Sequence, residues 1–160
     1  MKLNAQPRVT RLGMSFLLIA LSLFTLPALS SAAKIGDNYG GGIVFFVDKS
    51  GQHGLIAAKT DILGRSSGSA SDGRFIWPDA QAKCSDLVSN GYSDWILPNK
   101  EQLKQLYLQK SIVGGFTGTG YWSSTVSMAD RAWVQLFSNG IQLSFNTIHY
   151  FVRVRAVRAF

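Results

Sequence analysis

The chain has 160 residues, 46% of them hydrophobic, with 16 Lys or Arg against nine Asp or Glu and a net charge of +7. One cysteine and two histidines exclude an internal disulfide framework and leave too few ligands for a zinc centre of the usual His/Cys kind. The basic balance is partly a property of residues 1–33, which hold three cations and no acid; beyond them thirteen cations stand against nine acids, +4.

Residues 1–33 read as a secretory signal peptide. Lys2, Arg8 and Arg11 make a positive start, 14–29 is apolar, and Ser31-Ala32-Ala33 offers small residues for cleavage. Ser22, Thr25 and Pro27 interrupt the apolar run, and a spanning helix needs about 20 apolar residues. The membrane is therefore expected to be engaged only through this leader. Cleavage after Ala33 would leave 34–160 as a single domain, exported to the periplasm, the cell surface or the medium.

Residues 43–47 and 54–58 flank the turn Asp48-Lys49-Ser50-Gly51 and predict a hairpin. The Ser/Gly-rich stretch 65–73 reads as a loop. Residues 77–88 predict a helix with Pro78 in its first turn, Asp79 at its positive end and Asn90-Gly91 terminating it. Cys84 falls on an apolar stripe with Ala80, Leu87 and Val88, so a buried thiol is expected. Trp95, Ile96 and Leu97 form a strand that Pro98 stops. Asn99 then caps a second helix, with Gln102 as its capping-box partner and Leu103, Leu106 and Tyr107 as its apolar face. Glycines at 114–115, 118 and 120 break the chain before Tyr121. Strands at 132–137 and 141–145 are joined by Asn139-Gly140 as a hairpin. Strands at both ends and two helices in the middle predict an α+β domain with a mostly antiparallel sheet.

No catalytic constellation emerges. His53 and His149 are isolated, no Gly-x-Ser-x-Gly elbow is present, and the acids are dispersed along the chain. No metal, cofactor or nucleic-acid partner is expected.

Five blocks carry a family resemblance: 39–55 (YGGGIVFFVDKSGQHGL), 77–87 (WPDAQAKCSDL), 91–107 (GYSDWILPNKEQLKQLY), 121–125 (YWSST) and 153–160 (RVRAVRAF). In this order they resemble a bacterial extracellular domain family of mostly unknown function, typified by the C-terminal domain of a collagen-like adhesin. That family is similar to the C-type-lectin and formylglycine-generating-enzyme superfold. The resemblance implies a C-type-lectin-like fold and a ligand-binding, adhesin-like role. The cysteine pair of the formylglycine-generating enzymes is reduced here to Cys84 alone, which argues against carrying over their activity.

The last third of the chain also resembles the variable proteins of diversity-generating retroelements, in which changed template adenines diversify a binding surface. A frame of Tyr121, Trp122, Ser123, Ser124, Trp133, Phe137, Gly140 and 153–160 is interleaved with chemically miscellaneous positions. The candidate ligand-binding residues are Val126, Ser127, Asp130, Arg131, Val134, Leu136, Ile141, Leu143, Phe145, Thr147, Ile148, His149 and Tyr150. Met128 would have to be a fixed position. At a period of two, Ala132, Val134 and Leu136 share one face, Trp133, Gln135 and Phe137 the other, and Ile141, Leu143 and Phe145 share a face of the return strand. Two readings follow: a strand pair buried on both sides, or a displayed apolar surface that binds a protein or glycan on another cell or surface. The second is favoured, on a buried scaffold of Trp95, Trp122, Trp133, Phe137 and a strand at 154–157. A further alternative is an anionic glycan held by Arg153, Arg155, Arg158 and Arg131, against the simpler expectation that these arginines pair with carboxylates.

Overall fold

The structure is a computed structural model that describes residues 32–64, 66 and 72–160. The expected signal peptide and most of the 65–73 loop lie outside the described residues. Nine strands and three helices are assigned among the described residues: β1 (Asn38–Tyr39), β2 (Gly42–Val47), β3 (Gly54–Ala57), β4 (Arg74–Phe75), α1 (Trp77–Ser85), α2 (Lys100–Leu108), α3 (Lys110–Val113), β5 (Gly120–Met128), β6 (Arg131–Leu136), β7 (Gln142–Asn146), β8 (Val152–Arg153) and β9 (Val157–Ala159). They form two sheets, ordered β1-β2-β3-β9 and β4-β8-β5-β6-β7. Every ladder is antiparallel except the single β5–β8 pair, Tyr121 with Arg153. The fold is α+β and consistent with the C-type-lectin-like class.

The second sheet divides two apolar cores. On one side Trp122, Ala132 and Val134 join Phe75, Ala80, Cys84, Trp95 and Val154. On the other, Tyr121 and Phe137 meet Leu103 and Leu106 of α2. Trp122 is anchored by its indole N–H, which donates to the Phe75 carbonyl at 2.8 Å. The α2 cap forms as its residues dictate: Asn99 Oδ1 accepts from Gln102 N at 2.8 Å, and Gln102 Oε1 accepts from Asn99 N at 2.9 Å.

Three local expectations change. Helix α1 ends at Ser85, and Val88 is 73% exposed. The reason is the next turn: Ser89 and Tyr92 exchange backbone hydrogen bonds of 2.9 and 3.0 Å around Asn90 (φ +53°) and Gly91 (φ +83°). Two left-handed residues in a row are what a tight hairpin turn requires. The segment 95–97 makes one bridge rather than a ladder, Ile96 and Val157 exchanging bonds of 2.8 and 2.9 Å. The expected strand at 154–157 is interrupted, because 154–156 cross from the second sheet to the first between β8 and β9.

That crossing carries Arg155, which has no solvent exposure. Its Nε donates to Asp61 Oδ1 at 2.8 Å, and its other nitrogens reach the carbonyls of Ala58 (3.1 Å), Gly114 (3.3 Å) and Gly115 (2.8 Å). Phe116 packs against the guanidinium, 4.1 Å from ring centre to Cζ. Gly114 and Gly115 sit at φ +73° and +70°, a region open to glycine, and this conformation turns both carbonyls towards the arginine. Tyr121 Oη donates to the second oxygen of Asp61 at 2.9 Å. Removing one member of a buried ion pair strands the other, at about 3–5 kcal/mol of a total near 5–15 kcal/mol. Asp61→Ala should therefore destabilise the domain by about that amount, read as a lower midpoint in chemical denaturation.

Candidate functional site

The candidate site is built on β5, β6, β7 and the turn that follows. Register fixes its rows: Trp122, Val134 and Leu143 lie side by side, as do Val126, Ala132 and Phe145. The middle of this face is covered by the core, and its margins emerge. Leu143 is 38% exposed on β7, Ile141 51% just before it, and Val126 51% at the far end of β5. Phe145 is half-buried, edge-on to Trp122, and stacks at 4.7 Å on Tyr150, itself 49% exposed. Ile148, at 58%, and His149 stand out from the turn after β7.

The opposite face is covered by α2. Lys100 Nζ lies 3.5 Å from the centre of the Trp133 ring, and Gln142 Nε2 donates to the Lys100 carbonyl at 3.1 Å. Strand β6 is thus the two-sided central strand, and β7 is the edge that displays. Tyr107 packs beneath the β6–β7 connection, where a side chain at Gly140 (φ +81°) would meet its ring. Leu136 accepts from Gly140 N and donates to the Ile141 carbonyl, both at 2.9 Å. Asn139-Gly140 therefore joins the strands through a longer connection than a two-residue turn.

The structure separates the candidate ligand residues into three groups. Val126, Ile141, Leu143, Ile148, His149 and Tyr150 are exposed together on the margin. Asp130 is exposed but structural: its carboxylate accepts from Asn146 Nδ2 at 2.9 Å, and its carbonyl accepts from the Thr147 amide (2.9 Å) and hydroxyl (3.2 Å). Ser127 and Arg131 are likewise occupied, Ser127 Oγ lying 2.5 Å from Ser144 Oγ and Arg131 bonding the Ser144 hydroxyl and carbonyl. Val134 is fully buried and belongs to the core, because β6 is covered on both faces. Leu136 and Phe145 pack partly against that core. Of the expected scaffold, Trp95, Trp122 and Phe137 are buried, whereas Trp133 is only half-buried beneath Lys100.

The arginine cluster does not converge on a ligand. Arg155 is enclosed. Arg158 grips Asp94 in a two-pronged pair of 2.7 and 2.9 Å, beneath the Tyr92 ring. That guanidinium holds the Asp94 carboxyl below its ordinary pKa. Arg153 faces Asp61 at 3.6 Å. Each of these three arginines is thus engaged by an acid, as the simpler expectation had it. Asp61, one of the dispersed acids in the sequence, is the residue that sequence reasoning missed; its partner lies 94 positions away, beyond any local pattern.

Cys84 is fully buried, and burial pushes its thiol up to about 12. Among the described residues no three His, Cys, Asp or Glu side chains gather to hold a metal, and no helix is long and apolar enough to cross a membrane. A concave feature of about 380 Å³ lies away from this margin, bordered by Lys59, Asp61, Leu63, Leu87 and Asn90. A smaller one, of about 160 Å³, lies between Phe145, Phe151, Arg74 and Arg153.

Residues 52–158 match the Lcl C-terminal domain family. The chain belongs to that family. The match takes in the hairpin return β3, all three helices and both ends of the second sheet. It places the chain among adhesin-related extracellular domains, the class that the five sequence blocks resemble. No curated protein matches the chain.

Two measurements test this placement of side chains. Leu143→Asn and Ile148→Asn should each change stability by no more than about 0.5 kcal/mol, whereas Trp122→Ala should cost about 3–5 kcal/mol; denaturant titration separates them. Cys84 should resist a thiol reagent at pH 8 in the folded domain and react at once in denaturant, because the thiolate is the reactive form.

Proposed function

We propose that this Lcl C-terminal domain is an exported, non-enzymatic binding module, and that the exposed margin of β5–β7 holds a protein on another cell or surface. The observation that carries this reading is the grouping of Ile141, Leu143, Ile148 and Tyr150 at one edge of the second sheet, each between 38% and 58% exposed. Apolar side chains gathered on a rigid sheet edge are a recurrent mark of association. Aromatic and branched residues supply contact area at low rotamer cost. The buried thiol supports a binding role over thiol chemistry.

Genetic diversification of the same margin is part of the proposal. Most of the miscellaneous positions are exposed, and Tyr121, Trp122, Ser123 and Phe137 of the frame are buried; Val134 departs from this division. A near-identical, adenine-bearing repeat beside a reverse-transcriptase gene is the expected genomic signature, and a locus without one would remove this part.

Binding of the purified protein to intact cells, read by flow cytometry, tests the main reading. The double substitution Leu143→Asn/Ile148→Asn should weaken binding about tenfold or more, which corresponds to about 1.4 kcal/mol, with little dependence on salt. A steep loss of binding with salt, and none with the double substitution, would instead favour a charged polymer held elsewhere.

A further inference from the structure

The outer edge of β7 presents a second feature, in its backbone. Antiparallel partners alternate between hydrogen-bonded and non-bonded pairs. Leu136 N donates to the Ile141 carbonyl and Thr147 N to the Asp130 carbonyl. The bonded pairs of β6 with β7 are therefore 136–141, 134–143, 132–145 and 130–147. The pairs between them, Gln135–Gln142, Trp133–Ser144 and Arg131–Asn146, turn their β7 amides and carbonyls outward. Residues 132–152 contain no Lys, Arg, Asp or Glu, so β7 has none of the charges or prolines with which edge strands are commonly protected.

One side chain crosses to this edge. Arg131, on β6, donates through Nε to Ser144 Oγ at 3.1 Å and through its terminal nitrogen to the Ser144 carbonyl. Ser144 is the middle of the three outward-facing residues.

We propose that β7 is a strand-pairing edge for a second copy of this chain, and that Arg131 guards it. The strand is self-complementary about a two-fold axis through Ser144. In an antiparallel β7–β7 pair, Ser144 meets its own copy and Gln142 meets Asn146. Leu143 and Phe145 meet on the other register positions, so apolar faces apolar and amide faces amide. No charge opposes the pairing within the strand. The Arg131 guanidinium occupies the carbonyl at the centre of that axis, and it must leave before the central bonds form. The proposal needs neither an external partner nor the diversification of the margin.

Sedimentation velocity on the purified protein and two variants tests it, with thermal melts to establish that each is folded. The parent protein should be a monomer. Arg131→Ala should double the sedimenting mass in a concentration-dependent way. Adding Ser144→Pro to that variant should restore the monomer, since proline removes an outward N–H while leaving the β6 ladder bonds intact. A monomeric, folded Arg131→Ala protein would overturn the proposal. So would an Arg131→Ala dimer that survives Ser144→Pro, or a parent protein already dimeric through this edge.

Discussion

A guanidinium without solvent contact must find acceptors within its own chain, because an uncompensated buried charge is strongly destabilising. Arg155 meets that demand from four directions: Asp61 after β3, the carbonyls at Ala58 and Lys59, the Gly114-Gly115 turn after α3, and the face of Phe116. They come from two distant stretches of sequence, 58–61 and 114–116, so satisfying one arginine fixes the relative positions of the first sheet, the helical segment and the approach to β5. Asp61 adds the Tyr121 hydroxyl and thereby ties the same knot to the second sheet. Hydrophobic burial supplies the bulk of the driving force; this polar junction specifies which packing is adopted.

The candidate binding margin depends on that arrangement indirectly. Strand β6 is sandwiched, with Val134 and Gln135 both enclosed on opposite faces, so it acts as a rigid spine. Strand β7 hangs from that spine and is supported on one side by Lys100 and Trp133. Its other side runs out beyond the core, and apolar side chains emerge there without disturbing the packing behind them. A surface that tolerates substitution needs this separation between what is seen and what holds.

Much of the fold was legible because its signals are local. The Asn99–Gln102 cap, the β2–β3 hairpin and the positions of α1 and α2 follow from contacts within a few residues. The two Asn-Gly pairs show where such reading fails. Asn139-Gly140 has the composition of a two-residue turn but lies in a longer connection shaped by the Tyr107 ring beneath it. Asn90-Gly91, assigned to a helix end, adopts the left-handed turn instead, and Asn90 Nδ2 reaches the Gly41 carbonyl at 2.9 Å. In each case a long-range contact selects among conformations that the dipeptide alone permits. The same holds for the candidate site. Alternation correctly grouped Ile141, Leu143 and Phe145, but which strand lies at the edge, and which arginines are already engaged, are properties of sheet order.

Residues 152–159 have a consequence for the sequence of events in biogenesis. They supply β8 to one sheet, β9 to the other, and Arg155 between them. A polypeptide is synthesised from its N-terminus, so this segment emerges after every strand and helix that it joins. Until it does, Asp61 lacks its main counter-charge, β3 lacks a neighbour and β4 has nothing to pair with. The nascent chain is thereby denied a premature native state, and the two sheets close together only once 152–159 are in place.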